Sequence, residues 1–356
     1  MGERLQPYQV IMLLYMIQIG VGIFSLPRMT AETFGTNGWI GLILISLLVT
    51  LNILLIGLVF YYGKGRSIFQ IIDDNLPKFL SFLLYIAIAI LWSSLAVFIA
   101  KDFELLILML YYPTLPESVF IILALYIAYR LTRGGIIHIA KTATIFFSTI
   151  LIVFILAFHI PEFSFERLTP FIFSGEKELL NGGLNLYFSF LGYELSLLFI
   201  PFMAKNNTPF KPMLYAHFLL TFIYLITCFM AYGFFSFEQL LHESFPVLSM
   251  FEYVELPFLE RTENIITHFF IWEVFATVVA FFWGADQMVR QALPKLSPKV
   301  SIISLLLLSF TISLTVDIVR DVEKWIFLLR SMELLVAVTL PILLLILIGL
   351  SKIRKN

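Results

Sequence analysis

The chain has 356 residues, of which 60% are hydrophobic and 13% charged, with a mean hydropathy of +0.96. A water-soluble domain is roughly half apolar and a quarter charged, so this chain has too little polar surface to face water, and its solvent is the bilayer. A net charge of −1 offers no basic field for nucleic acid, and the single cysteine, Cys228, excludes an internal disulfide and a thiolate metal cluster.

A membrane-crossing helix needs roughly 20 mostly apolar residues. Runs that meet this lie near 8–34, 38–62, 79–109, 116–132, 136–158, 183–204, 212–235, 264–290, 299–317 and 325–349, which predicts an all-α integral membrane protein of about ten transmembrane helices. The first run follows Glu3 and Arg4, whose charges cancel, and no small-residue cleavage site follows it. It reads as a spanning helix, not a cleaved signal peptide. Within it, Gln18-Ile19-Gly20-Val21-Gly22-Ile23-Phe24-Ser25-Leu26-Pro27 is a poor helix. An interior glycine costs about 1 kcal/mol and a proline about 3 kcal/mol relative to alanine. In hydrocarbon, backbone groups freed by unwinding are tolerated only where protein or a polar cavity satisfies them. Gly20, Val21, Gly22 and Ile23 therefore either line a cavity or permit close helix packing.

The third run carries Lys101, Asp102 and Glu104 late in its length. They form an outer gate or a structural ion pair, and the structural reading is favoured. The fifth run has Lys141 near its start. The sixth, after Gly182 and Gly183, repeats the interruption of the first: Phe190, Leu191, Gly192 and Tyr193 frame a second break, with Pro201 further on. Glu194 falls in that break. An ionised side chain at mid-membrane costs roughly 2.5–3.5 kcal/mol, so Glu194 needs a partner or a watery pocket. It is a partner for a ligand ammonium, a proton carrier, a latch between helices, or a neutral structural hydrogen-bonder. In the first role, replacement by Gln weakens the response roughly five- to thirty-fold, because a charge-assisted hydrogen bond becomes a neutral one. The seventh run holds His217 and Cys228, both read as packing residues. The eighth holds His268, Glu273, Thr277 and Asp286, and a mid-membrane Thr is most often satisfied by its own helix. In the tenth, Arg330 and Glu333 are three apart and can pair on one face. No His/Asp/Glu set has metal-ligand spacing, no Gly-rich loop precedes Lys-Ser or Lys-Thr, and no nucleophile elbow is present. No enzyme activity, metal or cofactor is expected.

The two interrupted runs open two halves, 1–158 and 183–350, which begin on opposite sides of the membrane within one transmembrane domain, 1–356. They predict two inverted five-helix repeats, and paired interruptions in such halves point to a small-molecule site at mid-membrane. The N-terminal end of a half-helix suits a carboxylate, and the carbonyls of the other half suit an ammonium. Together they fit a zwitterionic amino acid. With ten spans, fifteen Lys and Arg fall on the side of both termini and five on the other, which predicts cytoplasmic termini.

The segment Ile19-Gly20-Val21-Gly22-Ile23-Phe24-Ser25-Leu26-Pro27-Arg28, followed by Ala31-Glu32 and Gly38-Trp39-Ile40, resembles the opening of endospore germination permeases. These are the B subunits of germinant receptors in spore-forming Gram-positive bacteria. The similarity continues at Gly192-Tyr193-Glu194 with Pro201-Phe202, and at Leu259-Glu260-Arg261 ahead of Trp272. It extends over essentially the whole chain. The resemblance implies the LeuT-like fold of the amino acid–polyamine–organocation transporter superfamily, with helices 1 and 6 broken. It implies sensing of a small germinant, an amino acid before a sugar or nucleoside. It also implies a larger membrane subunit and a lipoprotein subunit as partners, and the spore inner membrane as the location. By the same analogy Gly20, Val21, Gly22 and Ile23 meet Phe190, Leu191, Gly192 and Tyr193 around the ligand, and Thr277 on the eighth helix adds a contact. Lys141 is the candidate for the fifth-helix lysine that replaces a sodium ion in related transporters. The same fold serves a proton-coupled amino-acid permease acting on its own, and less readily an ion channel.

Overall fold

The computed structural model describes residues 3–116, 118–147, 156–170, 179–204, 208–254, 261–316 and 319–353. Among these, the secondary structure is helical, with one isolated bridge between Leu5 and Met203. In chain order the α-helices are α1 (Pro7–Gln18), α2 (Leu26–Phe34), α3 (Gly38–Gly63), α4 (Ile68–Asp73), α5 (Lys78–Leu110), α6 (Ser118–Gly134) and α7 (Ile136–Ile145). There follow α8 (Leu179–Phe188), α9 (Phe210–Phe234), α10 (Phe237–His242), α11 (Pro246–Glu252), α12 (Thr262–Ala292), α13 (Pro298–Ser313) and α14 (Val319–Ile353).

Among the described residues, five helices are individually long and apolar enough to cross a membrane: α3, α5, α9, and the stretches Glu263–Ala292 of α12 and Arg320–Lys352 of α14. They match the second, third, seventh, eighth and tenth expected runs. The fourth run is α6 and the ninth is α13. The fifth begins as α7, and most of its remainder lies outside the described residues, as do Leu259 and Glu260. α3 shows why the bilayer is the right solvent. Leu44, Leu47, Leu51, Leu54 and Leu58 recur at three- or four-residue spacing and are exposed, while Ile45, Val49, Ile53, Ile56 and Phe60 on the opposite face are buried. A helix apolar on both faces, with one turned outward, is suited to lipid.

The first and sixth runs are the discontinuous ones. α1 stops at Gln18, a short 3-10 turn spans Val21–Phe24, and α2 restarts at Leu26 with Pro27 in its first turn. Pro27 lacks an N–H, which the first helical turn would leave unpaired in any case. α8 stops at Phe188, and two 3-10 turns, Tyr193–Leu198 and Ile200–Phe202, carry the chain onward. The pieces pair crosswise. The Leu5 N–H donates to Phe202 O at 2.9 Å and Arg4 Nη1 to Pro201 O at 2.9 Å, so the start of α1 is tied to the segment after the second break. α2 packs instead on α8. Around them stand α5, α12, α9 and α14, with α5 and α12 packed against each other.

Buried polar groups join neighbouring helices. Asn52 Nδ2 of α3 donates to Tyr193 Oη at 2.7 Å and to Ala337 O of α14 at 3.0 Å. His217 and Thr221 of α9 meet Ser46 of α3, at 3.0 Å from the imidazole and 2.8 Å from the Thr hydroxyl. His217 is thus an inter-helix hydrogen-bonder as well as a packing residue. Cys228 is fully buried in α9.

Candidate functional site

The two breaks face each other because Gly192 lets them. Its φ is +117°, and a Cβ there would stand 2.6 Å from Ile17 Cγ2 in the last turn of α1. Only glycine combines that backbone with that approach. The frayed end of α1 is then held from three sides. Thr277 Oγ1 of α12 lies 3.1 Å from the carbonyl oxygens of Met16 and Ile17. Tyr224 Oη of α9 donates to Ser189 O at 3.0 Å and lies 3.4 Å from Gln18 O. Gln18 Nε2 crosses to Phe190 O at 2.8 Å. Unwinding frees carbonyls inside a low-dielectric interior, and these donors satisfy them.

Between the breaks lies a cavity of about 60 Å³. At about 10–15 Å³ per water by this kind of measure, it holds on the order of four to six water-sized atoms. Backbone at Gly20, Val21 and Gly22 forms one wall, and Phe188, Ser189 and Leu191 another. Leu95 and Ile99 of α5, with Val274, Thr277 and Phe281 of α12, close it with mostly apolar surface. Asp102 of α5 and Arg330 of α14 complete the lining.

Of the ten residues expected at the site, Gly20, Val21, Gly22, Leu191 and Thr277 line this cavity. Ile23, Phe190, Gly192, Tyr193 and Glu194 do not. Ile23 is packed in the core, Phe190 stacks near His217 with ring centroids 5.4 Å apart, and Tyr193 takes part in the Asn52 bond. Glu194 points the other way. Its Oε2 accepts the Gly192 N–H at 2.9 Å, and its carboxyl meets that of Glu333, whose two oxygens lie 3.0 and 2.8 Å from Trp92 Nε1. Glu194 is thus placed at the contact with α14, where the latch among its expected roles would sit, and is not part of the cavity lining.

Among the roles open for Glu194, this geometry favours the structural ones, in which Glu194→Gln is tolerated. The amide oxygen still accepts from Gly192 and the amide nitrogen can donate to Glu333. The nutrient concentration for half-maximal response should move by no more than about twofold, because a neutral hydrogen bond is retained. Glu194→Leu should lower abundance, since a buried unpaired Gly192 N–H costs roughly 1–3 kcal/mol. A tenfold shift for Gln at normal immunoblot levels would show that the ionised carboxylate is required after all.

Of three other expectations, the first is met in part: Lys101 and Glu104 form the favoured structural ion pair, buried at 3.9 Å, while Asp102 turns to the cavity. Arg330 and Glu333 do not pair, because Glu333 is engaged by Trp92 and Arg330 faces the cavity. Lys141 is half-exposed and bonded to Glu3 Oε2 at 2.6 Å, so it does not sit in a mid-membrane cation position. That contact holds the Glu3 carboxyl below its ordinary pKa.

Residues 4–322 match the family described as spore germination protein. The chain belongs to the spore germination protein family. The resemblance seen in Ile19–Arg28 and Gly192–Glu194 is thus borne out. Among relatives, the chain is 27% identical over 293 residues to spore germination protein GerQB of Bacillus cereus, covering 82% of this chain and 81% of that one. It is 24% identical to spore germination protein B2 of Bacillus subtilis (strain 168), covering 80% and 78%. Spore germination protein YndE of the same strain is 25% identical, covering 98% and 95%.

Solved transporters share the fold. Mhp1, a nucleobase-cation-symport-1 family transporter in a closed conformation with bromovinylhydantoin bound, aligns with a TM-score of 0.62 at 11% identity, covering 92% of this chain and 75% of that one. A substrate-bound, outward-open Na+-coupled sialic acid symporter aligns with a TM-score of 0.64 at 13% identity, covering 94% and 77%. The family member described here is therefore an integral membrane protein of LeuT-like fold, as the resemblance implied. Its family and fold are those of permeases and transporters.

Proposed function

We propose that this chain is the membrane-embedded nutrient-sensing subunit of a spore germinant receptor. A small germinant binds between the broken helices, shifts their arrangement and passes the change to partner subunits. The observation that carries this reading is a ligand-sized cavity with two charged walls at the crossing of two unwound segments, in a spore germination family member. Amino acids are the germinant class that suits it best. The partners are a larger membrane subunit and a lipoprotein subunit, together in the spore inner membrane. Ten spans in two inverted halves, 1–158 and 183–350, with both termini cytoplasmic, fit the fifteen-to-five distribution of Lys and Arg.

The reading is tested in spores lacking the chain. They should lose the response to at least one nutrient, regain it on complementation, and yield both partner subunits on affinity capture from inner membranes. The buried Glu194–Glu333 carboxyl pair keeps a second reading open, a proton-coupled amino-acid permease acting on its own. Proteoliposomes holding this chain alone decide between them: acid-driven uptake of a labelled amino acid, with germination intact in the deletion strain, would replace the receptor by the permease.

A further inference from the structure

The cavity wall holds two charged side chains, Asp102 from α5 and Arg330 from α14. They come from two helices that pack against each other. Among the described residues, neither makes an ion pair or a side-chain hydrogen bond, although each lies within the electrostatic reach of the other. The remaining polar groups of the wall are already engaged. Thr277 and Tyr224 meet backbone carbonyls, and Gln18 Nε2 is bound to Phe190 O. Gln18 Oε1 is buried without a hydrogen-bond partner. The unsatisfied groups at the cavity are thus a carboxylate, an amide oxygen and a guanidinium.

A charge inside a membrane protein marks a functional pathway or ligand site unless a neighbour neutralises it. Here two opposite charges stand at one cavity without touching. A ligand of net charge would leave one of them uncompensated. A sugar or nucleoside would offer hydrogen bonds and compensate neither. A zwitterion compensates both, since Arg presents a planar fork matched to a carboxylate and Asp accepts from an ammonium. The cavity's size limits the rest of the ligand to a short chain, and Leu95, Ile99, Val274 and Phe281 give that chain an apolar wall.

We propose that Asp102 and Arg330 form a charge clamp for a short-chain α-amino acid zwitterion, Asp102 receiving the ammonium and Arg330 the carboxylate. The clamp rests on the reading of this cavity as the germinant site and assigns its ligand class. Gln18 Oε1 adds a second acceptor on the ammonium side.

The test uses the full chain in lipid nanodiscs, with binding read by thermal stabilisation. The probes are glycine, L-alanine and L-valine, the half-charged ethylamine and propionate, and the uncharged glucose and inosine. Wild type should be stabilised by glycine and L-alanine and not by the half-charged compounds. Asp102→Asn and Arg330→Gln should each weaken the zwitterion roughly ten- to a hundred-fold, the range of a hydrogen bond to a charged group. The advantage of L-alanine over propionate should vanish in Asp102→Asn, and its advantage over ethylamine in Arg330→Gln. If a neutralised variant does not fold, Asp102→Glu and Arg330→Lys carry the test, since they keep charge but change reach and should still weaken binding. Undiminished affinity in the folded variants, or in the double neutralised variant, would reduce the pair to a structural one and overturn the clamp. Glucose or inosine binding that both variants retain would also overturn it, while leaving the cavity as the ligand site. No stabilisation by any probe overturns the clamp as well. A wild-type nutrient response in Gly22→Leu spores would then remove the cavity reading itself.

Discussion

Spores carrying Gly22→Leu should lose the nutrient response while the chain accumulates normally in the membrane. A Cβ at Gly22 would meet Ser189 Oγ at 3.8 Å and nothing closer, so the first carbon is accommodated. The backbone there is not in the left-handed region, so an L side chain adds no strain. The other three carbons of leucine have only the cavity of about 60 Å³ to enter, and they fill much of it with apolar atoms. Leucine is also favoured over glycine in a helix by up to about 1 kcal/mol, which biases the break toward closure. Gly22→Ala adds one methyl group and should shift the half-maximal concentration only a few-fold, on the scale of one buried CH₂ at about 0.8 kcal/mol. The measurement is a germination dose–response with abundance checked by immunoblot. A Leu variant with wild-type sensitivity would show that nothing binds against this wall.

Gly192→Ala should do the opposite: the chain should fail to accumulate. Two penalties coincide at φ +117° and a 2.6 Å approach to Ile17 Cγ2. Strained backbone costs on the order of 1–3 kcal/mol, and overpacking against a fixed helix typically a further 1–3 kcal/mol. Their sum is comparable to a large part of a domain's net stability. Gly183→Ala is the control, because its Cβ would meet nothing within 4 Å and its backbone is ordinary. Adding Ile17→Ala to Gly192→Ala should recover part of the abundance by removing the contact but not the strain. Fluorescence-detected size exclusion of tagged chains reads all three variants beside the unaltered chain. Normal abundance of the single Gly192→Ala variant would mean that the breaks do not cross as closely as described.

The composition of Gly20–Pro27 and of Gly192–Pro201 made the interruptions legible, since glycine and proline weaken a helix wherever it lies. The cavity backbone at Gly20, Val21 and Gly22 followed from that. The charged walls did not. Lys101, Asp102 and Glu104 look like one cluster in sequence, yet each residue turns a helix by about 100°. Positions 101 and 104 share a face and pair, and 102 is swung toward the cavity. Arg330 and Glu333 have the spacing of a pair, but Trp92, 241 positions away in sequence from Glu333, takes the carboxylate. Helix rotation and long-range partners are set by tertiary packing, and no local pattern encodes them. The role of Glu194 stayed open in the sequence for a related reason. Its position in the break was evident, but the direction of its side chain depends on the left-handed turn at Gly192 that offers it an N–H.

The crosswise pairing of the broken helices has a mechanical consequence. The start of α1 is stitched to Pro201, Phe202 and Met203, whereas α2 rides on α8. The four pieces therefore make two jaws that meet at the unwound crossing. Swinging one jaw outward leaves the hydrogen bonds of the other unbroken, so each mouth of the cavity can unlatch separately. The unwound stretches Gly20–Ser25 and Ser189–Gly192 are the joints at which such a swing would bend. On the proposed receptor reading, such a toggle would turn a few ångströms of side-chain adjustment around a captured molecule into a tilt at the membrane surface, where a neighbouring subunit would feel it.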